Sequence, residues 1–157
     1  MTATDSPAPA ADAGAIYVWV YEEPNRSYAG WHLTADGAGC QALLTTIDRL
    51  IVGDAATLTT RPPTPAILSV PNKRRAPMRA VSSLQLRLAA DPRAWQLAES
   101  DGALTLLVGS ERLAAVRAGV VDVRRGRGDY SITATGPRPP RDQRLWFWWM
   151  PRMSDRR

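Results

Sequence analysis

The chain has 157 residues, the size of one ordinary domain, and it can bury a core without a disulfide or a structural metal. Cys40 is its only cysteine and His32 its only histidine, which excludes an intrachain disulfide and a metal site built from several of these residues. The net charge is +5, but residues 1–60 hold two arginines against seven acids, so the positive charge lies in the C-terminal part. This asymmetry fits an anionic partner, or complementary charges within the fold or across a dimer.

The two ends of the chain carry no pattern typical of packed structure. Residues 1–14 are small, polar and proline-containing, and they lack the basic start and the apolar run of a signal peptide. We therefore expect a disordered leader at 1–14, a tail at 152–157 and a cytoplasmic protein. No stretch approaches the ~18 apolar residues that a membrane helix requires, so no membrane partner is expected.

The first half of the chain contains a predicted hairpin followed by a helix. Ile16–Tyr21 (IYVWVY) is entirely aromatic or β-branched, which predicts a strand, and residues 28–34 are its predicted partner. Asp36 is the predicted N-cap of a helix at 38–52, whose apolar residues fall on one stripe at the helical period. Two further short strands are predicted at 56–60 and 66–70.

A basic loop with prolines at 71–81 is predicted to join this half to the next. The following segment, 83–89, alternates apolar and polar residues as a half-buried strand does. Ser110 is the predicted N-cap of a second helix, which Gly126 or Gly128 ends. The remaining predicted strands lie at 95–99, 104–108, 130–133 and 145–150.

These elements predict an α+β fold, in which a mostly antiparallel sheet carries two amphipathic helices on one face. We expect a single domain at 15–151, with possible halves at 15–70 and 82–151. The order strand, strand, helix, strand, strand occurs in both halves, which suggests a ββαββ pseudo-repeat. Chance recurrence of so simple a pattern is the alternative.

The apolar run LWFWWM at 145–150 indicates a strand that is covered on both faces. Because side chains alternate across a strand, the aliphatic residues of each strand are expected to face the helices, which leaves a second face of aromatic and polar residues. The sheet itself could curl over this face, a second copy could pack on it, or a ligand could stack on it, and we favour these in that order. The predicted binding face consists of Tyr17, Trp19, Tyr21, Arg87, Trp146 and Trp148.

No set of residues for catalysis or for holding a cofactor is predicted. His32 lies in the middle of a strand, and Cys40 lies on the apolar stripe of the first helix, where a thiol is normally inert packing. No phosphate-binding or calcium-binding spacing occurs. We therefore expect no enzyme, no cofactor and no metal, and a reaction that uses Cys40 or His32 is the least favoured alternative.

The aromatic and basic residues are compatible with two binding functions. We expect a non-enzymatic domain that binds a protein through the aromatic face, first of all itself as a homodimer. The alternative is a single-stranded nucleic-acid-binding protein, in which aromatic rings stack on bases and arginines hold phosphates. The predicted basic patch for that alternative consists of Lys73, Arg74, Arg75, Arg79, Arg124, Arg125 and Arg127.

Overall fold

A computed structural model of the chain describes residues 14–22, 28–53, 55–71, 73, 76–136 and 139–151. The predicted leader up to residue 13, the predicted tail at 152–157, and Arg74 and Arg75 of the predicted basic patch lie outside these residues. The described strands are β1 (Ile16–Tyr21), β2 (Trp31–Ala35), β3 (Ala55–Thr59), β4 (Met78–Ala80), β5 (Ser83–Leu88), β6 (Trp95–Ser100), β7 (Ala103–Val108), β8 (Tyr130–Ile132) and β9 (Leu145–Phe147). The α-helices are α1 (Gly37–Gly53), α2 (Pro65–Leu68) and α3 (Ser110–Arg124), and a 3₁₀ turn (Arg141–Gln143) precedes β9.

The strands are divided between two sheets, and the predicted α+β class is confirmed. The first sheet has the order β4-β1-β2-β9-β8 and the second the order β3-β5-β7-β6. Each sheet contains one parallel pair, β2 with β9 and β5 with β7, and the other pairs are antiparallel.

The two sheets share one pairing scheme. The order β1-β2-β9-β8 has the same sequence of antiparallel, parallel and antiparallel pairs as β6-β7-β5-β3. In each predicted half a hairpin of one sheet is followed by a long helix and then by strands of the other sheet, β3 alone in the first half and β8 and β9 in the second. Whether the halves arose by duplication stays a prediction.

The main core lies between the inner faces of the sheets and the two long helices. It contains the predicted inward residues of β1, β2 and β9, among them Val18, Leu33 and Phe147, so the predicted alternation along these strands is correct. The apolar stripes of α1 and α3 complete the core. The helices run antiparallel, because Gln41 near the start of α1 accepts from Arg124 at the end of α3.

Local chemistry explains where the helices begin. Asp36 caps α1 as predicted, with Oδ1 accepting from the backbone N–H of Gly39 at 2.7 Å. The predicted cap Ser110 is wrong by one residue, because Gly109 is the N-cap of α3. A Cβ at Gly109 would overlap the backbone of Asp91 and Pro92, so the close approach of that loop requires glycine at this position.

The predicted strand at 66–70 is wrong, because α2 occupies most of this segment. The Oγ1 of Thr64 accepts from the backbone N–H of Ile67 at 3.3 Å, and Pro65 stands at the start of the helix. A hydroxyl cap followed by proline is a helix-start signal, and it prevails here over the preference of an aliphatic run for a strand.

Candidate functional site

The outer face of the first sheet is covered by the chain itself. Trp19 is 0% exposed and Trp148 is 3% exposed, and both belong to a second apolar cluster with Ile67 and Leu68 of α2. Of the three coverings considered from the sequence, the structure therefore contains the intramolecular one. The covering element is α2, whereas curling of the sheet was the expected means.

His32 lies at the centre of this second cluster and is fully buried. Its Nε2–H donates to the carbonyl oxygen of Tyr28 at 3.0 Å, and its Nδ1 accepts from the indole N–H of Trp148 at 2.9 Å. The indole nitrogen can only donate, so this pair of bonds selects the neutral Nε2–H tautomer. Burial lowers the pKa of His32 from 6.5 to about 3. The imidazole is therefore a neutral packing element near pH 7.

Stacked rings hold the imidazole from several sides. The ring of Trp19 is stacked at a centroid distance of 5.5 Å, and the rings of Trp146 and Trp148 are each stacked at 6.2 Å. Tyr21 meets the same imidazole edge-on at 4.8 Å. Burial raises the pKa of Tyr21 to about 12, so its hydroxyl stays protonated under ordinary conditions.

Around these buried rings lies a set of half-buried side chains, which we call the aromatic rim. The indole N–H of Trp146 donates to the carbonyl of Ala29 at 3.0 Å, which fixes the orientation of that ring. Trp146 also stacks on Trp148 at 5.6 Å and meets Tyr28 edge-on at 5.2 Å. The aromatic rim consists of Tyr17, Tyr28, Trp146, Trp149 and Met150.

The structure brings together five of the six residues of the predicted binding face. Tyr17, Trp19, Tyr21, Trp146 and Trp148 all lie in the second cluster or pack against it, although Trp19 and Trp148 are buried rather than accessible.

Arg87 is the exception among the predicted face residues. It lies on β5 in the second sheet, where it is paired with Ala55 and Leu107. Alternation along β5 correctly predicts that the side chain of Arg87 is exposed. No pattern within β5 indicates which sheet the strand joins.

The predicted basic patch is not one surface. Arg79 lies on β4 at one edge of the first sheet, and its guanidinium donates to both carboxylate oxygens of Glu99, at 2.9 and 2.7 Å. Lys73 is half-buried. The exposed residues Arg124, Arg125 and Arg127 instead lie at the end of α3, before β8 at the opposite edge of that sheet.

Two features of the site were missed from the sequence. His32 was treated only as a possible catalyst, although alternation along β2 already placed it on the outer face, opposite Trp31 and Leu33. The covering role of α2 was missed because 66–70 was predicted as a strand. The Thr64–Pro65 dipeptide was the signal that could have found it.

Cys40 is inert in its surroundings. It is 0% exposed, its thiol lies 3.6 Å from the carbonyl oxygen of Ala35, and burial raises its pKa to about 11. Because the thiolate is the nucleophile, a buried thiol with a raised pKa has little reactivity at neutral pH.

The described residues contain neither a metal site nor a membrane-spanning helix. Within the described ranges, no group of three or more histidine, cysteine or acidic residues could hold a metal ion. No helix in the same part of the chain is long and apolar enough to cross a membrane. Comparison with protein-family models, with curated proteins and with solved structures finds no match to this chain.

Proposed function

We propose that this chain is a non-enzymatic binding domain that contacts another protein through the aromatic rim. The observation that supports the proposal is a group of half-buried aromatic side chains and a methionine on top of fully buried rings. Tryptophan, tyrosine and methionine are enriched at protein–protein interfaces, and tryptophan and tyrosine supply much of the binding energy there.

The packing under the rim favours binding because it fixes the exposed rings in advance. Trp146 is held by its hydrogen bond to Ala29 and by stacking on Trp148, so little side-chain entropy is lost when a partner covers it. Complete burial of each half-exposed ring would contribute about 1 kcal/mol or more to association.

The first partner that we propose is a second copy of the chain, in the cytoplasm. Two rims placed face to face would form an isologous contact, in which each copy presents the same apolar patch to the other.

Sedimentation velocity over the micromolar range tests this proposal. The wild-type chain is expected to form dimers. Trp149→Ser removes a ring of the rim whose only ring contact among the described residues is with Trp148, so this ring is available to a partner. The substitution is therefore expected to weaken dimerisation about tenfold or more. Ile51→Ser is the matched control: Ile51 is 69% exposed on α1, away from the rim. A wild-type chain that stays monomeric, or an equal effect of both substitutions, would contradict self-association through the rim.

Single-stranded nucleic acid is the second candidate partner, and one observation favours it. Gly128 packs closely on Trp149, because a Cβ added at Gly128 would lie 2.6 Å from the backbone nitrogen of Trp149. This contact brings the exposed Arg125 and Arg127 near the rim. Trp19 and Trp148 are buried and are not free to stack on bases. Oligonucleotides should quench tryptophan fluorescence, with an affinity that falls steeply with salt, and absence of quenching at low salt would exclude this function.

A further inference from the structure

The outer edge of β3 is an open strand edge as far as the described residues show. β3 lies at the end of the second sheet, and among the described strands it pairs with β5 alone. Its five residues, Ala55–Thr59 (AATLT), include no charge and no proline, which are the usual means of blocking pairing at an edge. A β edge without such protection presents a row of unpaired donors and acceptors to an incoming strand.

The hydrogen-bond register of β3 identifies which groups point outwards. The backbone N–H of Thr60 donates to the carbonyl of Ser82 at 3.0 Å, one step beyond Thr59 and Ser83, the last partners in the antiparallel register of β3 with β5. Because such bonds alternate along an antiparallel pair, the backbone groups of Thr57 and Thr59 point away from β5. Both residues are exposed, and within the described residues neither backbone N–H has a partner.

Arg61 is the next residue whose backbone groups point outwards, and it already pairs with β1. The backbone N–H of Arg61 donates to the carbonyl of Ile16 at 2.8 Å, and Tyr17 and Arg61 form an isolated parallel bridge. The edge that continues from β3 is therefore oriented for parallel pairing, and β1 uses it for one bridge only.

The start of β1 lies at the Arg61 end of this edge. Gly14 has φ +82°, and the backbone N–H of Ala15 donates to Oδ1 of Asp36 at 3.0 Å, which draws the start of β1 towards α1. A cleft of about 380 Å³ remains beside β3, with Ala42 of α1 on its far wall and the exposed Arg61 at one end. An edge strand, a helix, Gly14 with the start of β1, and a cation thus line one groove.

We propose that this groove binds an extended peptide segment of another protein, which adds to β3 as a parallel strand. Parallel pairing directs the carboxyl end of the peptide towards Arg61, because residues 55–61 run in the same direction as the added strand. Arg61 makes no ion pair within the described residues, so the peptide that it fits ends in a free carboxylate or an acidic side chain. This site adjoins the aromatic rim at one point, where Arg61 is bridged to Tyr17, but it does not depend on the function proposed for the rim.

The probe for this site is a seven-residue peptide of alternating valine and threonine with a free carboxyl end, titrated into the full-length chain. Fluorescence anisotropy of the labelled peptide measures affinity, and NMR measures amide exchange. Binding should slow the exchange of the Thr57 and Thr59 amides, because they become ladder donors. Thr57→Pro should weaken binding about tenfold, because proline lacks the outward N–H, whereas the matched control Thr57→Ala keeps the N–H and should bind normally.

The carboxylate is tested by a second pair of measurements. Amidation of the peptide should weaken binding to the wild-type chain several-fold, and Arg61→Gln should abolish this difference between the two peptides. Equal binding by Thr57→Pro and Thr57→Ala would overturn the proposal. So would protection of the Thr57 and Thr59 amides before peptide is added, because the edge would then already be covered.

Discussion

His32 is a titratable residue that the fold keeps neutral. The unfolded chain binds a proton at this imidazole below its ordinary pKa of 6.5, whereas the folded chain does so only near pH 3. The stabilising effect of the neutral, buried form is therefore complete above about pH 6.5 and is lost progressively as the pH falls towards 3. The loss from this one group amounts to at most about 1.4 kcal/mol per pH unit.

This linkage predicts that the stability of the wild-type chain depends on pH more steeply than that of His32→Gln. Glutamine can accept from Trp148 and donate to the Tyr28 carbonyl as the imidazole does, but it does not titrate. Between pH 7 and pH 5 the free energy of unfolding of the wild-type chain should fall by about 2 kcal/mol more than that of the variant. Urea unfolding at both pH values measures the difference, and parallel losses would show that His32 is not neutral in the fold.

Alternation identified the two faces of the strands residue by residue, and it failed where a strand ends. In β1 the predicted split places Val18 in the main core and Trp19 in the second cluster, as found. Alternation continued from Phe147 would place Trp149 on the same side of the strand, but Trp149 packs against the second cluster. The reason is that β9 ends at Phe147, so period two no longer applies two residues later.

The contact between α3 and β9 requires a residue without a side chain. A Cβ at Gly119 would lie 2.8 Å from Cζ of Phe147, whose ring is fully buried and closely surrounded. Glycine inside a helix normally lowers helix stability, so its presence here is explained by the approach of the ring rather than by local propensity.

Gly119→Val should therefore destabilise the fold by about 2 kcal/mol, because the added atoms displace Phe147 from a packed core. Gly37→Val is the matched control: Gly37 also lies in a helix, at the exposed start of α1, and an added Cβ there would meet nothing within 4 Å. The control should change the free energy of unfolding by no more than about 0.5 kcal/mol. Equal urea midpoints for the two variants would show that the ring can move without cost.

The sequence pattern predicts the long elements but misses two short ones, α2 and β4, the second of which lies within the predicted basic loop at 71–81. The stripes of α1 and α3 repeat over several turns, so periodicity identified both helices. α2 spans only Pro65–Leu68, which is too short to show a period, and its cap was the only signal. Because α2 is the element that covers the aromatic face, missing this helix left the covering of that face unidentified.

At the scale of the whole molecule, the assignment of strands to sheets could not be predicted. β5 looked equivalent to the strands of the aromatic face, yet it lies in the second sheet and takes Arg87 with it. In each sheet a strand of the first predicted half pairs with a strand of the second, β2 with β9 and β3 with β5. Such long-range pairing depends on the packing of the complete core and leaves no periodic trace in a single segment.

The two outer edges of the second sheet differ in whether other described residues cover them. At β6 the side chain of Gln143, just before β9, replaces a neighbouring strand. Its Oε1 accepts from the backbone N–H of Leu97 at 2.7 Å, and its Nε2 donates to the carbonyl of the same residue at 3.0 Å. The indole N–H of Trp95 donates to the Gln143 carbonyl at 2.6 Å. These bonds cover one edge and join the two sheets, while no described strand pairs with the outer edge of β3.

Gln143→Ala should lower the free energy of unfolding by about 2 kcal/mol, because it leaves both backbone groups of Leu97 without their protein partner. For a chain of this size the corresponding decrease in Tm is about 4–8 °C. Gln96→Ala, at an exposed position of the same strand, is the matched control and should leave Tm nearly unchanged.

Gln143→Glu separates hydrogen bonding from packing at the same edge. Its carboxylate can accept from the Leu97 N–H but opposes the Leu97 carbonyl, so at pH 7 this variant should be less stable than the wild-type chain. Protonation supplies the missing donor, so the difference from the wild-type chain measured at the same pH should shrink near pH 4. Thermal unfolding at both pH values gives the result. A difference that does not change with pH would mean that Gln143 contributes by filling space and not by pairing with β6.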